Sequence, residues 1–428
     1  MSRKPSLAVF ALMSAIWLLI STDLNGQQIV APESVGMSSE RLSRITEGAE
    51  QQVADGKLVG IVSLVARRGK IVYLEAVGYQ DREEEVRMET DTIFRIASMT
   101  KPVTSLAALM LYEEGKFQLT DPVSKYIPEF KEMKVALRDG RLVDAERQIT
   151  IYDLLTHNSG LGYPTNAHVG NLYDDARIAG GGGLGPDEDP IGVDVRKLAQ
   201  IPLAQQPGSG WQYGFSIDVL GHVIEEASDR TLAEFFRERF FQPLGMQDTK
   251  FYLEKEEATR LAQMYIRDDS GQLVPEDRQE AVHRGYRFGG KVPIEGPRVC
   301  YAGGGGLCST AEDYFRFCQM VLQQGQYGGK RYLSRKTIEQ ASYPHLPIPD
   351  GSFRSKSSDF GLGFAVHKST GTPRPGTPGT LRWGSIFNGG FFIDPEEELI
   401  GITLAQLFPG ELDWQDKFEQ LAFSAIDD

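Results

Sequence analysis

The sequence predicts a mixed α/β fold, more strictly α+β. One antiparallel sheet is built from both chain ends and flanked by helices, and a mainly helical lobe is inserted between the two contributions. Three observations carry this reading. β-Rich runs lie near both ends of the chain, at 59–77 and again at 361–406. Neighbouring runs are joined by short turns, the connection that antiparallel partners allow and parallel ones do not. The long middle reads as amphipathic helices and loops. The expected boundaries are an α/β lobe over about 35–105 and 300–428 and a helical lobe over about 106–299. A chain of 428 residues is long enough for two lobes around a large core.

The elements follow in order. Residues 1–26 read as a signal peptide: Arg3 and Lys4 give a basic start, Leu7 to Ile20 is mainly apolar but short for a bilayer span, and Gly26 precedes Gln27 at a plausible cleavage point. Retention as an uncleaved anchor is the alternative, and either way the remaining domain, 27–428, is expected in the periplasm or secreted. Ser38 to Asp55 reads as a helix stopped by Gly56. Val59 to Ala66 and Ile71 to Val77 form a hairpin across Arg67-Arg68-Gly69-Lys70. Phe94-Arg95-Ile96-Ala97 leads to Ser98 in an N-cap position, ahead of a helix whose stripe is Val103, Leu106, Ala107, Met110 and Leu111, with Gly115 as its stop. Thr150 caps another helix, with Asp153 three residues on. Residues 162–193, rich in Gly, Asp and Pro and including Gly180 to Gly183, read as one long loop over a site. Pro207-Gly208-Ser209-Gly210-Trp211-Gln212-Tyr213-Gly214 is a turn-rich segment opening an apolar helix at Ile217, Val219, Leu220, Val223 and Ile224. Residues 231–345 alternate helices and loops, with Thr310 and Asp313 as a further cap. Gly361 to Val366, Leu381 to Ile386, Gly390 to Ile393 and Leu399 to Gln406 read as strands, and Asp413 to Ile426 as a closing amphipathic helix.

Composition excludes several function classes. The formal net charge is −14 and no basic stripe stands out, which argues against nucleic acid as a partner. The six histidines are scattered, and no cysteine–histidine cluster has metal-ligand spacing. The glycine tracts lack the Lys-Ser/Thr of a phosphate-binding loop. Three cysteines are present; Cys300 and Cys308 have the spacing to pair across a glycine loop, but a core of this size needs no staple, and three free thiols are expected.

The chemistry centres on Ser98-Met99-Thr100-Lys101. Residues three apart on a helix share a face, so the Lys101 amine can reach the Ser98 hydroxyl. A serine hydroxyl becomes a nucleophile when a base takes its proton, and a lysine serves as that base when its surroundings hold it neutral. The helix start also offers the Ser98 backbone N–H to a developing oxyanion. On the order of one Ser-x-x-Lys is expected by chance in a chain this long. Here, though, no other lysine has a serine three residues before it, and the helix behind is too apolar for a loose surface segment.

Four separated motifs occur in the order of the serine β-lactamase-like superfamily: Ser98-x-x-Lys101, Leu154-Leu155-Thr156-His157-Asn158-Ser159-Gly160-Leu161, Tyr213 after Pro-Gly-x-x-Trp, and Trp383-Gly384-Ser385. The resemblance spans nearly all of 35–428 and is nearest to the family VIII carboxylesterases, relatives of class C β-lactamases and D-Ala-D-Ala carboxypeptidases. It implies a β-lactamase/transpeptidase-like fold with Ser98 as the acylated nucleophile and Lys101 and Tyr213 as a shared general base and acid. Trp383, Gly384 and Ser385 would line the cleft for a small-molecule ester. The backbone N–H groups of Ser98 and Ile386 would form the oxyanion hole. The implied mechanism needs no cofactor. The chain departs from the β-lactamase pattern where Tyr-x-Asn reads Tyr213-Gly214-Phe215 and where Lys-Thr-Gly reads Trp383-Gly384-Ser385; the esterases commonly show Trp-Gly-Gly. Cleavage of small carboxylic esters is the leading expectation. A β-lactamase or D-Ala-D-Ala carboxypeptidase, an acyltransferase, and a receptor that is acylated without turning over are the alternatives.

Overall fold

A computed structural model describes residues 28–428 apart from 176–188, 277–281, 284–285, 288–290, 350–356, 371–372 and 411–412. The leader segment 1–26 and the Gly180–Gly183 tract lie outside the described residues. Ser38 caps α1 (Ser39–Ala54) by accepting the Arg41 N–H. The predicted hairpin is present as β1 (Gly60–Arg67) and β2 (Lys70–Asp81).

These two strands join a sheet of nine. Along it run Leu346–Pro347, Ser358–Phe360, Ala365–His367, Leu381–Gly384, Gly390–Asp394, Leu399–Leu404, β1, β2 and Val86–Arg87. Every pairing is antiparallel. The two chain ends meet at the centre, where Leu64 faces Ile402 and Val62 faces Leu404.

Alternation along β1 divides the core. Val62, Leu64 and Ala66 face one large cluster with Ile400, Ile402, Phe391 and the helix Ala311–Leu322. Ile61 and Val65 face the other side, against Leu42 and Ile45 of α1 and Trp414 and Phe418 of the carboxy-terminal helix Asp413–Ser424. With both faces covered, β1 is buried throughout, which is why its sequence is a nearly continuous apolar run. Polar demands inside this packing are met locally: Trp414 Nε1 donates to Thr403 Oγ1 at 2.8 Å, and Ser63 and Thr403 share a 3.1 Å hydrogen bond.

Between the strand sets lie the buried helix α2 (Thr100–Glu113) and the helix Ser216–Ser228, packed on each other. Several readings need correction. Gly361–Phe364 is not strand but a turn between Ser358–Phe360 and Ala365–His367. Gly363 there takes φ +92°, its backbone lying against Pro102 and Ser105 of α2, where a Cβ would come within 2.4 Å of Ser105 Oγ. The stretch 162–193 is not one loop, since it holds the helix Gly170–Asp175 and the start of Ile191–Leu198. Short strands occur within 231–345, Tyr265–Arg267 and Leu273–Pro275, joined by Leu407–Phe408. Cys300, Cys308 and Cys318 are all buried, and none of the three is in a disulfide. No helix among the described residues is long and apolar enough to cross a membrane.

Candidate active site

Ser98 does not cap α2. It sits inside a 3₁₀ turn, Ala97–Met99, that runs directly into the helix, and no side chain caps either start. Ala97 before it takes φ +42°, a left-handed conformation that costs a non-glycine residue on the order of 1 kcal/mol or more. Buried Ala97 is held there by the surrounding core. The turn leaves Ser98 half-buried, as are Tyr213 and Ile386.

Around the Ser98 hydroxyl the predicted groups converge. Lys101 Nζ lies 3.1 Å from Ser98 Oγ, and Tyr213 Oη lies 2.8 Å from the same atom. Lys101 is 1% exposed. Its amine also donates to the Gly304 carbonyl at 2.5 Å and sits 4.9 Å from the Tyr213 ring centroid and 5.7 Å from that of Tyr163. A buried, fixed amine within hydrogen-bond reach of Ser98 can accept its proton, and the Tyr213 hydroxyl, bonded to the same oxygen, offers a second proton path.

Tyr213 is held by rings and by backbone. Its ring is stacked on Trp211 at 5.7 Å and edged by His157 at 4.8 Å, Tyr163 at 5.3 Å and Trp383 at 5.6 Å. The predicted motif His157–Leu161 is the cradle for this loop. The His157 carbonyl accepts the Gln212 N–H at 2.7 Å, Asn158 O accepts Gly208 N–H at 2.9 Å, and Asn158 Oδ1 accepts Gly210 N–H at 2.9 Å. The strands of backbone run so close that a Cβ on Gly214 would come within 2.2 Å of the Leu161 carbonyl. His157 itself is fully buried and takes φ +54°. Burial, with the Lys101 charge adding to it, holds its imidazole well below the usual histidine range, so the ring is neutral.

Trp383 is 1% exposed and packs against Tyr213 and Phe360. It therefore backs the tyrosine rather than presenting an open wall to the cleft. Its strand packs against the Ala97–Met99 turn. The strand ends at Gly384. Ser385 follows, buried, its N–H bonded to the Gly389 carbonyl at 2.7 Å and its Oγ accepting the Phe387 N–H at 3.0 Å. Ile386 lies beyond the strand end; its carbonyl accepts the Gly410 N–H at 2.7 Å, while its own N–H makes no hydrogen bond among the described residues. Arg382 projects to the opposite face, where it pairs with Glu419.

Sequence reasoning missed one wall. The tract Gly303–Gly306, read as a loop between cysteines, threads between α2 and the helix Ser216–Ser228. Thr104 Oγ1 donates to the Gly303 carbonyl at 2.7 Å, and Thr100 Oγ1 accepts the Leu307 N–H at 3.2 Å. A Cβ on Gly303 would lie 2.9 Å from the Ile217 carbonyl, and one on Gly304 2.2 Å from Asp218 Oδ2. Consecutive glycines beside no hairpin were the available signal for such a close approach.

Among the described residues, no group of three or more His, Cys, Asp and Glu side chains is placed to hold a metal ion. A family model described as Beta-lactamase matches residues 46–425. The chain is 36% identical over 382 residues to protein Rv1367c of Mycobacterium tuberculosis, covering 84% of this chain and 88% of that protein. It is 33% identical over 364 residues to esterase EstB of Burkholderia gladioli, covering 82% and 87%. Among solved structures it superposes with a TM-score of 0.78 on EstCE1, a hydrolase with promiscuous acyltransferase activity, at 29% identity and covering 90% of this chain and 99% of that one.

Proposed function

The chain belongs to the beta-lactamase family, as a serine hydrolase enzyme, and from that premise we propose that it cleaves small neutral carboxylic esters through an acyl-enzyme on Ser98. The observation that carries this is the Ser98 hydroxyl held between Lys101 Nζ at 3.1 Å and Tyr213 Oη at 2.8 Å. Ser98 Oγ attacks the ester carbonyl carbon while its proton passes to the Lys101–Tyr213 unit. The negative oxygen that forms is met by the Ser98 and Ile386 N–H groups. The same unit returns the proton to the departing alkoxide. Water, activated in turn, attacks the acyl-enzyme and releases the acid.

The preference for neutral substrates rests on charge. β-Lactams and D-Ala-D-Ala peptides carry a carboxylate beside the scissile bond. At the strand position where the lactamases place a lysine this chain has Trp383, and the neighbouring Arg382 is committed to Glu419 on the other face. A hydrogen bond to a charged group contributes about 1.5–3 kcal/mol. Its loss corresponds to about ten- to a hundredfold in affinity for an anion. A neutral ester loses nothing.

Acyl transfer is a second reading, supported by the likeness to EstCE1: an alcohol replaces water in the last step. The basic head and apolar run of residues 1–26 support a location in the periplasm or outside the cell. The test is direct. Wild type should turn over an acetyl or butyryl ester of a good leaving group steadily. Its kcat/KM should exceed that for penicillins and cephalosporins by at least about tenfold. Ser98→Ala should be inactive and unlabelled by a fluorophosphonate. Faster β-lactam hydrolysis rejects the esterase reading, a stoichiometric burst followed by silence rejects turnover, and labelling of Ser98→Ala rejects the nucleophile.

A further inference from the structure

We infer that Asp218 is a positioning residue for Lys101: it holds the Gly304 N–H, so that the next carbonyl fixes the Lys101 amine, and it supplies the buried negative charge that faces that amine. This rests on the proposed role of Lys101 as base.

Three observations carry it. Asp218, in the first turn of Ser216–Ser228, is 1% exposed. One carboxylate oxygen, Oδ1, accepts the Gly304 N–H at 3.0 Å. The carbonyl of that same residue accepts the Lys101 amine at 2.5 Å. One glycine thus links the carboxylate to the lysine, and only a glycine fits, since a Cβ there would lie 2.2 Å from Asp218 Oδ2. The second oxygen, Oδ2, is buried and has no hydrogen-bond partner among the described residues. Such an atom is costly unless a nearby positive charge compensates it.

The charged groups facing Asp218 come from two other elements. Lys101 projects from α2, and its charge opposes the rise that burial imposes on the Asp218 carboxyl, which sits at about 6. Asp194, on Ile191–Leu198, adds a like charge that favours the rise. Asp194 is itself paired with Lys197 at 2.8 Å. The glycine tract contributes no titratable side chain, and one turn along its own helix His222 is bonded to Glu225. Lys101 is therefore the basic side chain that faces Asp218 among the described residues, a cation whenever it holds the proton.

The consequence is chemical. When the Ser98 Oγ–H proton moves to Lys101 as the new C–O bond forms, a buried ammonium is created. Asp218 stabilises that charge without taking the proton, and the Gly304 carbonyl keeps the amine aimed at Ser98. A nucleophile, its base and a third group that orients the base form a recurring catalytic arrangement.

The experiment uses the whole chain, a chromogenic acetyl ester and two variants. Asp218→Asn keeps an oxygen for the Gly304 N–H but removes the charge; Asp218→Ala removes both. Asp218 itself titrates at about 6 in the wild type, so an acid limb of kcat near that pH, where the carboxylate is protonated, should be moved or lost in Asp218→Asn, which has no such group. The plateau kcat of Asp218→Asn should fall about tenfold or more, and that of Asp218→Ala further. KM should stay within about twofold of wild type in Asp218→Asn, because the residue does not touch substrate. If Asp218→Ala does not fold, the near-isosteric Asn variant decides alone. A lowered plateau with an unmoved limb, or an unchanged profile, overturns the inference. Equal turnover by wild type and Ser98→Ala overturns the nucleophile reading instead, and this inference with it.

Discussion

Glu419→Gln tests how the site's sheet edge is anchored from behind. Arg382 and Glu419 are 4% and 5% exposed and face each other beneath the strand that carries Trp383. The contact is forked: Arg382 Nε donates to Glu419 Oε1 at 2.7 Å, Nη2 reaches the same oxygen, and Nη2 also meets the Pro375 carbonyl at 2.5 Å. Burial pulls the guanidinium's pKa down and Glu419 opposes that pull. The glutamine keeps the shape and an acceptor oxygen but removes the paired negative charge, leaving the buried Arg382 guanidinium without its ion-pair partner. Breaking a buried pair this way costs about 3–5 kcal/mol. Unfolding entropy is about 2.1 cal/mol/K per residue. For 428 residues that is about 0.9 kcal/mol/K, and the expected drop in Tm is about 3–6 °C. Arg374, which also donates to Glu419 at 2.8 Å, is less affected because it is more exposed and retains Asp416 at 2.6 Å. Thermal unfolding followed by circular dichroism reads the shift. The double variant Arg382→Met/Glu419→Leu should recover most of it, since removing both charges removes the desolvation cost as well. A Tm unchanged in Glu419→Gln, or a double variant no better than the single one, refutes the reasoning.

Lys101→Ala and Tyr213→Phe should each lower kcat by several orders of magnitude, and the double variant by little more, because in the proposed mechanism both serve one proton on Ser98; multiplied losses in steady-state kinetics would refute a shared unit. Asp218 also carries a stability consequence with a definite sign. Its carboxyl is raised from 3.8 to about 6, so the stability it permits is fully present below 3.8 and is lost as pH rises through about 6. Asp218→Asn should therefore match wild type in Tm near pH 4 and exceed it by the equivalent of about 1–3 kcal/mol at pH 7, as scanning calorimetry at both pH values would show.

The parts of the fold legible in the sequence are those whose cause is local. Thr150 with Asp153 forms the expected capping box, Thr310 caps its helix, and the Arg67–Lys70 turn joins the expected hairpin. The pairing of Ser98 with Lys101 followed from helix periodicity alone; Tyr213 was found through the order of motifs, because its approach depends on a loop held 115 positions away in the chain. What escaped was imposed by tertiary packing. Nothing local says that Ala97 takes φ +42°, so Ser98 looked like a cap. The apolar, aromatic run Gly361–Val366 has strand composition, yet Gly363 bends it onto α2. Asp218 looks like an ordinary acidic residue in a first turn, and its burial against Gly304 becomes visible only once both segments are folded.

The meeting of the two chain ends at the centre of the sheet fixes an order of events in folding. β1 emerges early in synthesis, but its partner Leu399–Leu404 lies more than three hundred residues downstream. Until that partner arrives, one edge of β1 carries unpaired backbone groups on an apolar strand. The Met37–Ile426 bridge and the Arg67–Asp428 ion pair likewise wait for the last residues. Closing so long a loop is slow and leaves a sticky edge exposed meanwhile. The strand carrying Trp383 reaches the sheet through Gly390–Asp394 and Leu399–Leu404, so the Ser98 turn gains its second wall in the same late step. The proposed site around Ser98 is therefore complete only once the sheet has closed.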